Sequence, residues 1–313
     1  MDLPTENIQI EKIMKWSISA HNTFRRCQRQ FFFGNIMASH NAKDLRRREA
    51  FILKQLKHLP VWRGILVHEC LSDFFVPTIK EKLISQIDLT NTTLERLDQQ
   101  FTFSKNRRYR AGSSKTECGS HYCALYDHEF GSSIEEKRID ILKKEISQCY
   151  EYLYANTDFL KQLKNCENMT NEINLPFKMD STTVYAKLDL TFIDKNNLNI
   201  IDWKIGASDT SDYSNQLLVY ALAATHKIGR KPDRIKLFEV NLLKKQIVEH
   251  GVDDEKLRKT EDLIYKSISD IKSVTREQKY DNLNSDDFET AHNSTNCEFC
   301  NYRFLCVGMS NEK

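Results

Sequence analysis

The hydrophobic pattern of this chain changes its period near residue 170, and this change constrains the fold more than any other feature. Upstream, apolar residues recur mainly at helical spacing, whereas downstream, short apolar or alternating segments separated by polar turns indicate strands. The predicted strands are 172–178, 183–193, 198–205, 234–242 and 246–252. A helix predicted from Ser214 to Ile228 separates the third strand from the fourth. This order predicts an α/β fold in which a mixed central β-sheet is flanked by helices.

Helices are predicted on both sides of this strand-rich segment. Ser19 is predicted to cap the first helix, which would end before Gly34. Further helices are predicted at 44–57, from Pro60 to Phe75, at 134–164 and after residue 253. The whole chain, 1–313, is interpreted as one domain. Its parts are an N-terminal helical part at 17–76, a helical insertion at 77–170, the core at 171–252, and a C-terminal helix with a cysteine-rich tail at 253–313.

The composition is typical of a soluble protein from a reducing compartment. Hydrophobic residues make up 40% of the chain and charged residues 29%, and no apolar run approaches the ~18 residues that span a bilayer. The polar segment from Met1 to Lys15 does not resemble a secretory signal. Nine cysteines, an odd number, do not form a closed disulfide framework. We therefore expect a cytoplasmic protein with no membrane partner, whose thiols are free or bind metal.

The net charge of +2 excludes a general polycation, so any affinity for nucleic acid must come from local basic patches. Two basic stretches exist, from Lys43 to Arg48 and from Lys105 to Arg110. They are candidates for steering DNA, and the alternative is a solvated helix face or loop.

Two aspartates and a lysine flank the turn between the second and third predicted strands. Asp189 precedes this turn, and Asp202 and Lys204 follow it. If the turn consists of Lys195 and Asn196 alone, cross-strand pairing places Asp189 opposite Asp202, with Lys204 on the same face. A longer turn would shift this register.

Two carboxylates that face each other repel unless a cation lies between them. Oxygen ligands suit Mg²⁺ or Mn²⁺, which bind phosphate and activate water, and a nearby lysine can neutralise developing charge. The alternative is an ordinary exposed hairpin, which the apolar neighbours Ile200, Ile201 and Trp203 disfavour. The Asp-x-Lys tripeptide alone is a weak signal, because it occurs by chance in many proteins.

The C-terminal tail contains three closely spaced cysteines, Cys297, Cys300 and Cys306. Three thiolates at this spacing can bind a metal ion or an iron–sulfur cluster, with a fourth ligand supplied from elsewhere. Zinc and a cluster both remain open on the spacing alone, although zinc sites usually consist of two local pairs of ligands.

Taken together, these motifs closely resemble the PD-(D/E)XK nucleases of the RecB/AddB type, a group that includes the CRISPR-associated iron–sulfur exonucleases. The residues that carry the resemblance are Ser17-Ile18-Ser19, Phe24, Cys27, Gly64-Ile-Leu-Val-His68, Asp189, Ile200-Ile-Asp202-Trp-Lys204-Ile-Gly206, Gln216-Leu-Leu-Val-Tyr220-Ala and the three tail cysteines. The segment 77–170 carries no recognisable motif of this group. The implied fold is a restriction-endonuclease-like core.

The resemblance also implies roles for individual residues. The metal ligands would be His68, Asp189, Asp202 and the backbone carbonyl of Trp203. The catalytic set would be Asp189, Asp202, Lys204, Gln216 and Tyr220. Gln216 and Tyr220, four residues apart on one helix face, would border the site and position the DNA strand. For Glu172, on the first predicted strand, a solvated strand end is favoured over a place in the site.

For the cysteines, the resemblance implies a [4Fe–4S] cluster held by Cys27, Cys297, Cys300 and Cys306. Such a cluster would join two parts of the chain that are about 270 residues apart and so restrict the unfolded chain. Two alternatives remain: zinc in the tail, and Cys27 as a small apolar residue of its helix.

The implied function is a Mg²⁺- or Mn²⁺-dependent deoxyribonuclease, with exonuclease action favoured, in DNA repair, recombination or defence. No phosphate-binding GxxxxGK[ST] motif is present, so a helicase motor would be a separate partner. The alternative is a non-catalytic nuclease-fold module that binds DNA or acts as a scaffold for a helicase.

Overall fold

The computed structural model describes residues 15–111, 115–131, 133–206, 211–278, 282–293 and 295–310. Its strands are β1 (Lys15–Trp16), β2 (Glu167–Asn174), β3 (Phe177–Met179), β4 (Thr182–Val184), β5 (Lys187–Asp194), β6 (Asn197–Lys204), β7 (Ile235–Asn241) and β8 (Gln246–His250). Its α-helices are α1 (Ile18–Arg26), α2 (Gln28–Phe31), α3 (Leu45–Gln55), α4 (Leu59–Cys70), α5 (Val76–Thr78), α6 (Gln86–Lys105), α7 (Lys115–Cys118), α8 (Tyr126–Glu129), α9 (Glu136–Ala155), α10 (Thr157–Asn165), α11 (Ser211–Ile228), α12 (Asp254–Thr275), α13 (Thr295–Glu298) and α14 (Arg303–Ser310). Two π-helical segments, Phe32–Met37 and Leu71–Phe75, follow α2 and α4.

The larger sheet has five strands in the order β2-β5-β6-β7-β8. Neighbouring strands are antiparallel except β6 and β7, which are parallel and are connected through α11. A parallel pair needs a crossover connection, and the helix predicted between the third and fourth strands provides it. The predicted mixed sheet flanked by helices is confirmed.

A second, smaller sheet corrects the predicted strand boundaries. It has the order β1-β4-β3, in which β1 and β4 are parallel and β4 and β3 antiparallel. The predicted strand 172–178 is divided between β2 and β3, because Pro176 has no N–H to donate to a ladder. The predicted strand 183–193 is likewise divided: the chain leaves the small sheet after β4 and joins the large one at β5.

The hairpin between β5 and β6 has the predicted two-residue turn. Lys195 and Asn196 have φ values of 47° and 65°, the left-handed conformation that a tight hairpin turn requires at both positions. Asp194 consequently pairs with Asn197, and the same register continues to the pair Leu190–Ile201. The predicted register is confirmed over these residues.

Two predicted helices differ from the structure. The long helix at 134–164 is two helices, α9 and α10, because the chain turns at Asn156, whose side chain accepts a hydrogen bond from the N–H of Phe159. The first helix is capped by Ser17 and not by Ser19. It ends at Cys27, whose extended backbone interrupts the helix. Gly34 is not the residue after this helix but lies buried within a π-helical segment.

Apolar clusters pack on both faces of the larger sheet. Ile201 lies in one cluster with Leu66 of α4 and Ile146 of α9, whereas its neighbour Ile200 lies in another with Leu217 of α11. Consecutive strand residues point to opposite faces, so both faces of β6 are covered and its carboxyl end is held firmly. Among the residues described, no helix is long and apolar enough to cross a membrane.

Candidate active site

The centre of the candidate site is the buried carboxylate of Asp202, near the end of β6. Asp202 is 1% exposed. Its Oδ2 lies 2.5 Å from Nζ of Lys204, and its Oδ1 accepts a hydrogen bond of 3.0 Å from Nε2 of Gln216 on α11. Lys204 Nζ also donates to Oε1 of Gln216 at 3.0 Å. The three side chains thus form a ring of two hydrogen bonds and one ion pair, in which the buried Oδ2 of Asp202 has no hydrogen-bond partner.

Tyr220 lies one helical turn beyond Gln216 and extends this network. Gln216 Nε2 lies 2.5 Å from the Tyr220 hydroxyl. Burial raises the pKa of Tyr220 well above its ordinary value, and the nearby carboxylates of Asp202 and Asp189 raise it further. The phenol therefore remains a neutral hydrogen-bonding group at the edge of the site.

Asp189 approaches the network from β5. The β5–β6 ladder ends at Leu190–Ile201, one residue before Asp189 would pair with Asp202. Oδ2 of Asp189 instead accepts a hydrogen bond of 3.0 Å from the N–H of Trp203. Burial raises the pKa of Asp189 to about 6; nearby His68 lowers it, and Asp202 adds to the increase.

The side chain of His68, on α4, lies beside both Asp189 and Trp203. Its Nε2 lies 2.7 Å from the carbonyl oxygen of Trp203, and its Nδ1 lies 3.5 Å from Oδ2 of Asp189. Because a carbonyl oxygen only accepts, Nε2 carries the proton in this hydrogen bond. Asp189, Trp203 and His68 therefore meet where the two strands separate.

Glu172 also lies in the site, and the expectation of a solvated strand end is wrong. Its position on β2 falls between the pairs Asn171–Leu190 and Ile173–Leu188, which brings it opposite Asp189. Its carboxylate forms an ion pair with Lys187. The register between β2 and β5 could have identified Glu172 from the sequence. That register could not be predicted without knowing that β2 begins at Glu167.

The geometry separates the expected metal ligands into two groups. Among the described residues, the side chains of His68, Glu172 and Asp189 have ligand atoms within 4.8 Å of one another. Asp202 is not in this group; its Oδ1 accepts a hydrogen bond from Gln216, and its buried Oδ2 lies near Lys204 but has no hydrogen-bond partner. An imidazole and carboxylate oxygens are donors that Mn²⁺ accepts well, and oxygen donors are those that Mg²⁺ prefers, so the residues present fit a divalent cation.

The four candidate cysteines converge although they are distant in sequence. Cys27 caps α2, and its sulfur accepts a hydrogen bond of 3.3 Å from the N–H of Gln30. Burial raises the pKa of Cys300 to about 11 and also raises that of Cys306, and both thiols interact electrostatically with those of Cys27 and Cys297. The tail lies against the N-terminal helices: Sγ of Cys27 lies 4.0 Å from the carbonyl oxygen of Glu289, and Nη1 of Arg29 lies 4.0 Å from Sγ of Cys306.

The two basic stretches lie close to each other, but some of their arginines contact acidic and carbonyl groups of the protein itself. Arg110 forms ion pairs with Glu49 and Glu129. Arg107 donates to the backbone carbonyl groups of His128 and Glu129. Steering of DNA by these stretches stays a prediction, for which Arg110 and Arg107 are now poor candidates.

Comparison with known protein families and structures gives the following similarities. The sequence profile of the PD-(D/E)XK nuclease superfamily matches residues 15–307. No curated protein sequence matches the chain. Among solved structures, a candidate exonuclease from Eubacterium rectale is similar at 12% identity, over 97% of this chain and 93% of its own, with a TM-score of 0.47. Protein VC1899 from Vibrio cholerae is similar at 11% identity, over 66% of this chain and 55% of its own, with a TM-score of 0.24. Because the profile covers nearly the whole sequence, the chain belongs to the PD-(D/E)XK nuclease superfamily.

Proposed function

We propose that this protein is a divalent-metal-dependent deoxyribonuclease of the RecB/AddB type that removes nucleotides from DNA ends. The observation that carries the proposal is the ring formed by Asp202, Lys204 and Gln216, immediately beside Asp189 and His68. A buried acid held against a lysine, next to a second acid and an imidazole, carries a desolvation cost, and such groups are typical of sites that act on a ligand.

The residues that would hold the cation are His68, Asp189, Asp202 and the carbonyl oxygen of Trp203. When bound, Mg²⁺ or Mn²⁺ would polarise the scissile phosphate and lower the pKa of a water molecule. Hydrolysis joins the water oxygen to phosphorus and breaks the bond from phosphorus to the 3′ oxygen. The products would be a 5′-phosphate and a 3′-hydroxyl, whose oxygen takes up a proton.

Lys204 would act directly on the reacting groups. Its ammonium group is fixed by Asp202 Oδ2 and Gln216 Oε1, so its position does not depend on substrate. From there it would orient the attacking water and stabilise the negative charge that develops on the phosphate oxygens. Because the lysine is already positioned, little reorganisation is needed as the reaction proceeds.

Gln216 and Tyr220 would position the DNA strand. Both lie on the face of α11 that borders Asp202, and their polar ends contact each other. The Gln216 amide already donates to Asp202 and to the Tyr220 oxygen, so the Tyr220 hydroxyl would donate to a phosphate or sugar oxygen without adding charge, and Gln216 would hold that hydroxyl in place. Such contacts fix the register of a strand but do not select its base sequence.

A [4Fe–4S] cluster held by Cys27, Cys297, Cys300 and Cys306 would be structural. The contacts of Cys27 with the carbonyl oxygen of Glu289 and of Arg29 with Cys306, which place the tail beside Cys27, support a shared site. Zinc bound by the same thiolates is the alternative, and iron and zinc analysis distinguishes the two.

The chemistry and the end specificity can be tested together. Anaerobically purified protein with Mn²⁺ should release nucleotides from linear DNA, single- or double-stranded, and leave covalently closed circular DNA intact. Cleavage of the closed circle would show an endonuclease. If the protein binds both DNAs but cleaves neither, a non-catalytic module that binds DNA or acts as a scaffold for a helicase is favoured. Repair, recombination and defence against foreign DNA are the processes in which such an end-dependent nuclease would act.

A further inference from the structure

Glu172 has a position and surroundings that the proposed catalytic set does not explain. We infer that Glu172 is a further ligand of the metal centre, and that Lys187 takes the place of the cation beside it in the metal-free protein. This inference rests on the proposed metal-dependent function, and it adds a ligand on the strand that forms the open edge of the sheet.

The first argument is the position of Glu172 in the sheet. The pairs on either side of it, Asn171–Leu190 and Ile173–Leu188, show that it lies opposite Asp189. Glu172 itself has a φ of 54°, a conformation that glycine favours and that is unusual for glutamate within a strand. The local backbone therefore departs from regular pleating at the residue that faces the candidate metal ligand.

The second argument is the identity of the neighbouring donor atoms. One carboxylate oxygen of Glu172, one of Asp189 and one imidazole nitrogen of His68 lie within 4.8 Å of one another. Three ligands of one divalent cation, each bound at about 2.0–2.4 Å, must lie within roughly this separation. Asp202 lies outside this group: its Oδ1 accepts a hydrogen bond from Gln216, and its buried Oδ2 lies against the ammonium group of Lys204 without a hydrogen bond. Glu172 is thus placed to share a cation with His68 and Asp189.

The third argument is charge. Without a cation, Glu172 and Asp189 would be two adjacent acids, and the ammonium group of Lys187 forms an ion pair with Glu172. The Lys187 side chain is 60% exposed, whereas that of Glu172 is 29% exposed. An exposed ion pair contributes little to stability, so the lysine can withdraw into solvent when a divalent cation binds. The pair holds the carboxylate in place without blocking the site permanently.

The inference can be tested by measuring Mn²⁺ binding without DNA. The free Mn²⁺ signal in electron paramagnetic resonance gives the dissociation constant for the metal alone. The variants are Glu172→Gln, which keeps the shape and removes the charge, and Lys187→Met, which removes the ion-pair partner and keeps the carboxylate. Glu167→Gln is the matched control, because it removes an exposed glutamate from the same strand. Thermal unfolding of each metal-free variant reports whether it is folded.

We expect Glu172→Gln to weaken Mn²⁺ binding by about tenfold or more, while Glu167→Gln leaves it unchanged. Lys187→Met should bind Mn²⁺ at least as tightly as the wild type, because the competing ammonium group is gone. Equal losses in Glu172→Gln and Lys187→Met would mean that only the ion pair matters and would overturn the inference. Wild-type affinity in Glu172→Gln would overturn it as well.

These failures differ from failure of the proposed function. If Asp189→Asn abolishes Mn²⁺ binding and DNA cleavage while Glu172→Gln changes neither, the nuclease stands and the inference about Glu172 falls. If the wild-type protein binds no Mn²⁺ and cleaves no DNA, both fall.

Discussion

The imidazole of His68 donates a hydrogen bond of 2.7 Å to the carbonyl oxygen of Trp203, so α4 and β6 meet through two atoms that are both candidate metal ligands. In an octahedral Mg²⁺ site with ligands at about 2.1 Å, adjacent ligand atoms lie about 3 Å apart. The two atoms are therefore almost at the separation that a shared cation requires. Binding through Nε2 would require its proton to shift to Nδ1, which lies 3.5 Å from Oδ2 of Asp189, but little movement of the backbone.

This relationship predicts that His68→Ala weakens Mn²⁺ binding by about 10- to 100-fold. His58 is a matched control, because it lies at the start of the same helix and its Nε2 likewise contacts a backbone carbonyl, that of Phe299, at 3.0 Å. His58→Ala should leave Mn²⁺ affinity unchanged. Titration calorimetry on both variants checks the prediction, and equal affinities for the two would contradict the placement of His68 at the metal.

The hairpin could be predicted from sequence because its determinants are local. Lys195 and Asn196 accept the left-handed conformation of a two-residue turn, and that turn length fixes the register of every residue along β5 and β6. Local turn chemistry thus places Asp189 near Asp202 without knowledge of the rest of the fold. The helix that carries Gln216 and Tyr220 was predictable because apolar residues recur along it at helical spacing.

Features that depend on distant contacts were not predictable in the same way. Pro176 divides a predicted strand between two sheets, but the small sheet also needs the pairing of β1 with β4. Glu172 enters the site only through the register between β2 and β5. Asp202 turns towards Gln216 because α11 packs over that face of β6. None of these contacts leaves a periodic signal in the sequence.

The raised pKa of Asp189 predicts a specific dependence of stability on pH. The folded, metal-free protein holds this proton up to about pH 6, whereas the unfolded chain releases it near the ordinary 3.8. The stabilisation that this proton gives to the folded protein is fully present below the pKa of Asp189 in the unfolded chain. It is lost as the pH rises through about 6, the pKa of Asp189 in the folded protein. The free energy of unfolding of the wild type relative to Asp189→Asn should therefore fall across this interval.

Urea unfolding of metal-free protein at several pH values between about 4 and about 7 measures this difference. Saturating Mn²⁺ should remove the fall, because the cation replaces the proton on Asp189. A difference between wild type and Asp189→Asn that stays constant with pH would contradict the buried carboxylate described for the site.

A milder effect is predicted for Tyr220→Phe. The substitution keeps the buried ring and removes only the hydroxyl that contacts Gln216. A hydrogen bond of this kind contributes about 1 kcal/mol, which corresponds to roughly fivefold in rate or binding. Gln216→Ala should cost more, because it also releases Lys204 and Asp202. Steady-state kinetics on both variants tests the order, and a larger loss for Tyr220→Phe would contradict it.

The cysteines give a prediction that is independent of the acidic residues. Anaerobically purified protein should be brown, with broad absorbance near ~400 nm and about four irons per chain. Cys27→Ala should lose this colour although its partners lie in the tail, whereas Cys149→Ala, which alters a core cysteine of α9, should keep it. The iron and zinc content of the wild type and of each variant tests the prediction. A colourless protein with one zinc, or full iron in Cys27→Ala, would exclude the shared cluster.

The central claim is that the Asp202–Lys204 pair is the hydrolytic centre of a metal-dependent nuclease. The most direct measurement is the rate at which wild type, Asp202→Asn and Lys204→Ala release nucleotides from end-labelled DNA in Mn²⁺, with circular dichroism to show that each variant is folded. Each substitution should lower the rate by about 100-fold or more, and chelation by EDTA should stop the wild type until Mn²⁺ is restored. Near-wild-type turnover by either folded variant, or cleavage that persists after chelation, would contradict the account.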